Sequence, residues 1–308
     1  MSLVSMVELL EQAKNEKFAV GYFEAWNLES LSAVVSAAEE VRSPVIIGFN
    51  AGILTSPKRV LEPENLECFG AMGRIAARNT HIPVALLLNE IPTFETAMAG
   101  ITFGFNALMF EGEAEGLQED VILTRKVVEA AHAVGVSVEA KVGRLPMAEK
   151  GAFPAEEVDA FLTDPEQAKR FVEETGVDAL GVSVGNVEVL MKGKAEMRLD
   201  LLERIGDVVA VPLVLHGGSG IPDDAIGSLI ERGVCKMNLG NSLNQAFLNG
   251  MQLALVEHGE KVSPKYLLGS GLREDILAGG RLAMKALVER KMAVYGSAGK
   301  ASRQWEDG

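Results

Sequence analysis

Short, almost continuously apolar runs recur along this chain, each separated from the next by a segment of helical period. That alternation restricts the fold more than any other feature. The runs fall at Phe18–Phe23, Val45–Gly48, Val84–Leu88, Ala107–Phe110, Ser137–Ala140, Ala179–Val184, Leu213–Leu215 and Val234–Asn238. A strand with one wet face alternates apolar and polar residues; these runs hardly alternate, so both faces should be covered. Helical stretches lie between them, for example Leu28–Val41, Asn65–Arg78, Val121–Val134, Asp164–Thr175 and Asp223–Arg232, with a last one at Asp275–Tyr295. Thr163-Asp164-Pro165-Glu166 and Pro222-Asp223-Asp224 carry start signals, and Gly135, Gly176 and Gly233 stand where the last turns end. Eight such strands with intervening helices, over roughly 250 residues, predict a (β/α)8 TIM barrel. No linker, low-complexity segment or short repeat breaks the chain, so a single domain over residues 1–308 is expected. Long βα loops are expected near 141–161 and 185–197, on the C-terminal rim where such barrels build their sites.

The chain is acidic, with 29 Lys+Arg against 43 Asp+Glu and a net charge of −14. Such a surface is a poor partner for nucleic acid or an anionic membrane. No apolar run approaches the ~20 residues that span a bilayer. Met1–Met6 lacks the charged and apolar regions of a signal peptide. The two cysteines, Cys68 and Cys235, sit in apolar settings and read as small core residues, which suits a reducing cytoplasm. Of four histidines, His132 and His258 lie on expected helices and read as solvated or capping. His81, just before the third strand, reads as structural. His216 is left.

His216 ends the seventh strand candidate in Val214-Leu215-His216-Gly217-Gly218-Ser219-Gly220-Ile221-Pro222. Glycines there let backbone amides approach an anion, and a helix opens at once; helix N-termini and glycine nests bind phosphate through such amides. The loops after the seventh and eighth barrel strands are the usual phosphate site. The eighth strand ends in Met237-Asn238-Leu239-Gly240-Asn241-Ser242, a second set of polar groups beside the first. Gly217, Gly218, Ser219, Asn238 and Asn241 are therefore candidate phosphate or substrate contacts. A plain strand-to-helix turn is the alternative.

These residues resemble the class II fructose-bisphosphate/tagatose-bisphosphate aldolases, the zinc-dependent ketose-bisphosphate aldolase family. The likeness runs from about Phe18 to Lys300 and includes Asn27-Leu28-Glu29, Ser43-Pro44-Val45-Ile46-Ile47, Val138-Glu139-Ala140 and Thr163-Asp164-Pro165-Glu166-Gln167-Ala168. It continues through Thr175-Gly176-Val177-Asp178-Ala179-Leu180, the His216 turn, and Gly296-Ser297-Ala298-Gly299-Lys300. The resemblance implies a TIM barrel, a sugar phosphate substrate, aldol cleavage or condensation, a divalent metal, and a homo-oligomer, either dimer or tetramer. It also exposes substitutions at the family's metal centre. Where the family has two ligand histidines, this chain has Glu90 and Glu188; only the third, His216, is kept. Asn89 replaces the acid/base Asp, and Lys141 replaces the second Glu of a Glu-x-Glu pair whose first member is Glu139. Asn50 stands where a Ser is usual, Gly240 where an Asp or Ala is usual, and Glu24 where an Asn is usual.

Two arrangements suit this altered centre. In one, Glu90, Glu188 and His216 hold a divalent metal, and the oxygen donors favour Mn2+, Mg2+ or Fe2+ over Zn2+. In the other, the Lys141 ammonium neutralises Glu90, Glu188 and Glu139 without a metal. A Schiff base on Lys141 would need a lowered pKa, which carboxylate neighbours oppose. Asn89 cannot accept a proton at neutral pH and can only orient a hydroxyl. If Glu90 is not a ligand, it is the first candidate base and Glu188 the second, each otherwise a partner for Lys141 or Arg144. Glu111 adds a further carboxylate. The expected activity is that of an aldolase-like carbon–carbon lyase on a phosphorylated ketose. A non-catalytic sugar-phosphate-binding paralogue and an enolising or epimerising enzyme are the alternatives.

Overall fold

A computed structural model describes residues 3–112, 116–143, 145–148, 158–187, 189–190, 195–259 and 261–301. Eight parallel strands close on themselves: β1 (Val20–Ala25), β2 (Val45–Asn50), β3 (Val84–Ile91), β4 (Ala107–Phe110), β5 (Ser137–Lys141), β7 (Ala179–Gly181), β9 (Leu213–Leu215) and β10 (Val234–Leu239). β10 pairs back onto β1, with Tyr22 opposite Asn238, so the barrel has no free edge. Every residue of β2 and β10 is buried, as their unbroken apolar runs require. The expected (β/α)8 barrel is the fold.

Two short strands, β6 (Met147–Ala148) and β8 (Val189–Leu190), pair in parallel and join the segments that follow β5 and β7. They fall within the stretches 141–161 and 185–197 where long loops were expected; parts of both, including Arg144 and Glu188, lie outside the described residues.

The helices follow from their caps and faces. Asp164 accepts the Gln167 amide at 2.9 Å with Pro165 in the first turn, and Gly176 ends the helix Pro165–Thr175 in the left-handed region at φ 74°. Asn27 and Ser30 cap each other reciprocally at 2.9 and 3.0 Å, opening the helix Leu28–Glu40. Cys68 was expected in the core but is exposed. Leu66, Phe69, Gly70, Gly73 and Ala77 form the inward stripe of its helix, and position 68 falls off that face.

Apolar side chains form two layers, one between strands and helices and one inside the barrel. The inner layer holds Val20, Ile46, Leu87, Met109 and Val214, and includes Met6, Leu9, Leu10 and Ala13 of the helix Met6–Glu16. The C-terminal segment is stitched to the end of the Leu28–Glu40 helix. The Gly299 and Ala301 amides donate to the carbonyls of Val41 and Arg42 at 2.8 and 2.9 Å, and the Ser43 and Ser297 hydroxyls meet at 2.8 Å. The likeness at residues 296–300 thus has a structural reason. Among the described residues, no helix is long and apolar enough to cross a membrane.

Candidate active site at the barrel mouth

Alternate residues of a barrel strand point inward, so the last inward position of each strand meets the others at the rim. A cavity of about 440 Å3 opens there. Its wall takes Glu24 from β1, Asn50 from β2, Asn89 and Glu90 from β3, Glu111 after β4, His216 after β9, and Asn238 from β10. Gly217, Gly218, Ser219 and Asn241 line it as well. The structure therefore gathers nine of the expected site residues around one space.

Asn89 and Glu90 are neighbours in sequence yet both reach the cavity, which a regular strand forbids. The β3–β4 register shifts between Leu88 and Ile91, and Glu90 has φ 51°, a left-handed backbone uncommon outside glycine. Such a conformation costs about 1–3 kcal/mol and persists only where its surroundings impose it. The carboxylate so turned is held from both sides. Asn50 Nδ2 donates to Glu90 Oε2 at 2.6 Å, and Asn89 Nδ2 donates to Oε1 at 3.1 Å. Asn50 also reaches Glu24 Oε2 at 3.3 Å, while its own oxygen accepts the Ile53 amide at 3.0 Å. Gly240 packs against the Glu24 carboxylate, an added Cβ lying 3.7 Å from its Cδ.

Lys141 and Glu139 each have a close partner of opposite charge. Lys141 Nζ lies 2.6 Å from Glu111 Oε1, whereas the cation beside Glu139 is Lys236, 2.7 Å from Oε2. Both Glu139 and Lys236 are fully buried. Burial pushes the Glu139 pKa up, but Lys236 and His216 outweigh it and hold it down at about 2. Burial lowers the Lys236 pKa against the opposing pull of Glu139. Lys236 was missed in the sequence, although a lysine inside an unbroken apolar strand must find a buried partner. Glu139 Oε1 also meets His216 Nε2 at 2.8 Å. An ionised carboxylate only accepts, so Nε2 carries a proton, and Nδ1 is the nitrogen left to meet a ligand. Nδ1 has no partner among the described residues. Asn186 fixes the backbone here, its Nδ2 donating to the His216 carbonyl at 3.0 Å.

A carboxylate behind a histidine whose second nitrogen is open is the arrangement metal-binding histidines use. His216 and Glu90 line the same cavity and fit a divalent cation as two of the three expected donors. The third, Glu188, lies outside the described residues; among those described, no group of three His, Cys, Asp or Glu side chains gathers as a metal site.

In the glycine turn, the Gly218 amide is not offered to a ligand. It donates to the Asn238 carbonyl at 3.0 Å, and a Cβ on Gly218 would lie 2.6 Å from that same oxygen. The glycine serves close approach of the two loops. The amides of Gly217 and Ser219 have no main-chain partner among the described residues. Ser219 Oγ accepts the Ser242 amide at 3.0 Å, tying the turn to the first turn of the helix Asn241–His258. His132 and His258 lie elsewhere, paired with Asp178 at 2.9 Å and Glu257 at 3.6 Å.

A closed parallel barrel with carboxylates, an oriented imidazole and an amide-rich turn at its C-terminal mouth is the make-up of a TIM-barrel enzyme. The family profile described as "Fructose-bisphosphate aldolase class-II" matches residues 4–300. The fructose-bisphosphate aldolase of Geobacillus stearothermophilus is 35% identical over 303 residues, covering 98% of this chain and 100% of that protein. The sulfofructosephosphate aldolase of Alkalicoccus urumqiensis is 31% identical over 301 residues, covering 98% and 99%. Among solved structures, the YdjI aldolase from Escherichia coli K12 superposes with a TM-score of 0.80 at 31% identity, covering 97% of this chain and 100% of that one. The chain belongs to the class II fructose-bisphosphate aldolase family and is an aldolase-type carbon–carbon lyase.

Proposed function

We propose that this chain, acting as a single barrel domain, cleaves and forms the aldol bond of a phosphorylated ketose, with Glu90 as the proton-moving carboxylate. One observation carries the reading: the doubly held Glu90 carboxylate and the Gly217–Ser219 turn line the same cavity. The names of the two relatives above share a fructose phosphate, which supports a substrate with a phosphate on a ketose chain. The phosphate would sit on the Gly217 and Ser219 amides, near Asn241 at the positive end of its helix. In cleavage, Glu90 takes the proton of the hydroxyl whose carbon leaves as the aldehyde. The carbon–carbon bond electrons pass to the ketone oxygen, and the resulting enediolate is reprotonated at carbon. Asn50 and Asn89 each donate to one Glu90 oxygen and so fix the plane of the carboxylate. Asn89 orients but does not ionise. Lys141 holds Glu111 and brings a positive charge to the rim; Glu188 is a second carboxylate for the same chemistry. In the alternative arrangement a divalent cation, Mn2+, Mg2+ or Zn2+, would be held by Glu90, Glu188 and His216 and would supply Lewis-acid polarisation of the ketone, with Glu90 then a ligand and not the base. We place the enzyme in the cytoplasm, as a dimer or tetramer.

The test is aldehyde release from phosphorylated ketoses, with each cation added in turn. Wild type should cleave at least one such ketose. Glu90→Gln should lose on the order of 100-fold or more in kcat, the scale of a general base, with phosphate affinity kept. Binding without cleavage for every ketose and cation would leave a non-catalytic sugar-phosphate barrel. Racemisation at the hydroxyl carbon without aldehyde would mean an epimerase.

A further inference from the structure

Three buried polar atoms on residues that line the cavity have no hydrogen-bond partner among the described residues: Tyr22 Oη, Asn89 Oδ1 and Asn238 Nδ2. Their residues are 1%, 2% and 7% exposed. Buried polar groups are nearly always bonded, so three orphans on one cavity call for a ligand. Charged neighbours fix which atom each presents. Asn89 gives its NH2 to the Glu90 carboxylate at 3.1 Å, which leaves its carbonyl oxygen to accept. Asn238 accepts the Lys236 ammonium on Oδ1 at 2.6 Å, which leaves its NH2 to donate. Tyr22 lies opposite Asn238 in the β1–β10 ladder, and its ring is 5.1 Å from Lys236 Nζ. Burial first, then the charges of Glu24, Glu90 and Glu139, raise the Tyr22 pKa well above its ordinary value, so the phenol keeps its proton.

We infer that Tyr22 Oη and Asn238 Nδ2 donate together to the reacting ketone oxygen while Asn89 Oδ1 accepts from the neighbouring hydroxyl. The complement of two donors and one acceptor is an α-hydroxyketone. Tyr22 thereby becomes a substrate-contacting residue that stabilises negative charge on the oxygen during bond cleavage. Donors aimed at such an oxygen in a water-poor site contribute most as charge develops. The inference rests on the aldolase reading for its substrate and adds the group that reads the ketone.

Tyr22→Phe removes one oxygen and keeps the ring beside Lys236. Its affinity is compared with wild type for two probes of equal carbon number, dihydroxyacetone phosphate and propyl phosphate, the second lacking ketone and hydroxyl. The expected result is about a tenfold loss for the hydroxyketone phosphate, the scale of one buried donor, with propyl phosphate unchanged. Asn238→Asp, which keeps an oxygen for Lys236 and loses the NH2, should act in the same direction. A variant that binds both probes as wild type does, or loses both equally, overturns the inference and leaves the aldolase reading standing. Wild type that ignores both probes, or does not separate them, overturns the inference; ignoring both removes the phosphate site of the proposed function too.

Discussion

Lys236 and Glu139 place opposite charges 2.7 Å apart with no access to solvent, and neither tolerates the loss of the other. Lys236→Met should destabilise the fold by about 3–5 kcal/mol in denaturant titration, because it strands a buried carboxylate. Adding Glu139→Leu should recover much of that loss, since a buried pair can be replaced by apolar groups at little cost. A pH dependence goes with the same residue. The Glu139 pKa is held at about 2 in the fold against an ordinary 4.5, so the unfolded chain takes up its proton first as pH falls. Its contribution to stability is whole above pH 4.5 and is withdrawn from there towards pH 2. Wild-type stability should fall through that window more steeply than that of Glu139→Gln, measured by denaturant midpoints at successive pH values. Residue chemistry was legible in part. His216 could be named from its place at a strand end, and Glu90 and Asn89 from the family resemblance. The partners could not: apolar runs say which strand carries Lys236 and Lys141, but only closure of the barrel decides which carboxylate each one meets.

The turn from β9 into the following helix shows how an element sets what its residues can do. Gly218 is needed because its backbone lies against Asn238, not because its amide faces a ligand. Gly218→Ala should push the β9 and β10 loops apart, lowering stability by about 1–3 kcal/mol as overpacking does. Calorimetry should also show weakened inorganic phosphate binding; unchanged phosphate affinity would separate this contact from the anion site. Strand ends were the least legible part of the elements. The first strand was expected at Phe18–Phe23 and runs Val20–Ala25, and β7 stops at Gly181 rather than Val184. Side-chain pattern marks burial, whereas a strand lasts only as long as its neighbours offer ladder bonds. The bulge at Glu90 is invisible for the same reason: an apolar run followed by Asn-Glu does not announce a left-handed residue.

At the scale of the whole molecule, the closed barrel brings residues 24, 50, 89, 90, 111, 216 and 238 to one rim from six separate strands and their ends. The alternation of runs and helical segments was enough to foresee that closure and the face on which chemistry would lie. The helix Met6–Glu16, whose apolar residues join the barrel interior, was not foreseen, because a short amphipathic start has no strand pattern to anchor it. The central claim is that one substrate spans the glycine turn and Glu90. A crystal structure of Glu90→Gln with an uncleaved ketose phosphate tests it most directly. The account predicts the phosphate on the Gly217 and Ser219 amides and the cleavable hydroxyl within hydrogen-bond reach of residue 90. A phosphate lodged away from that turn, or a sugar chain directed away from residue 90, would contradict it.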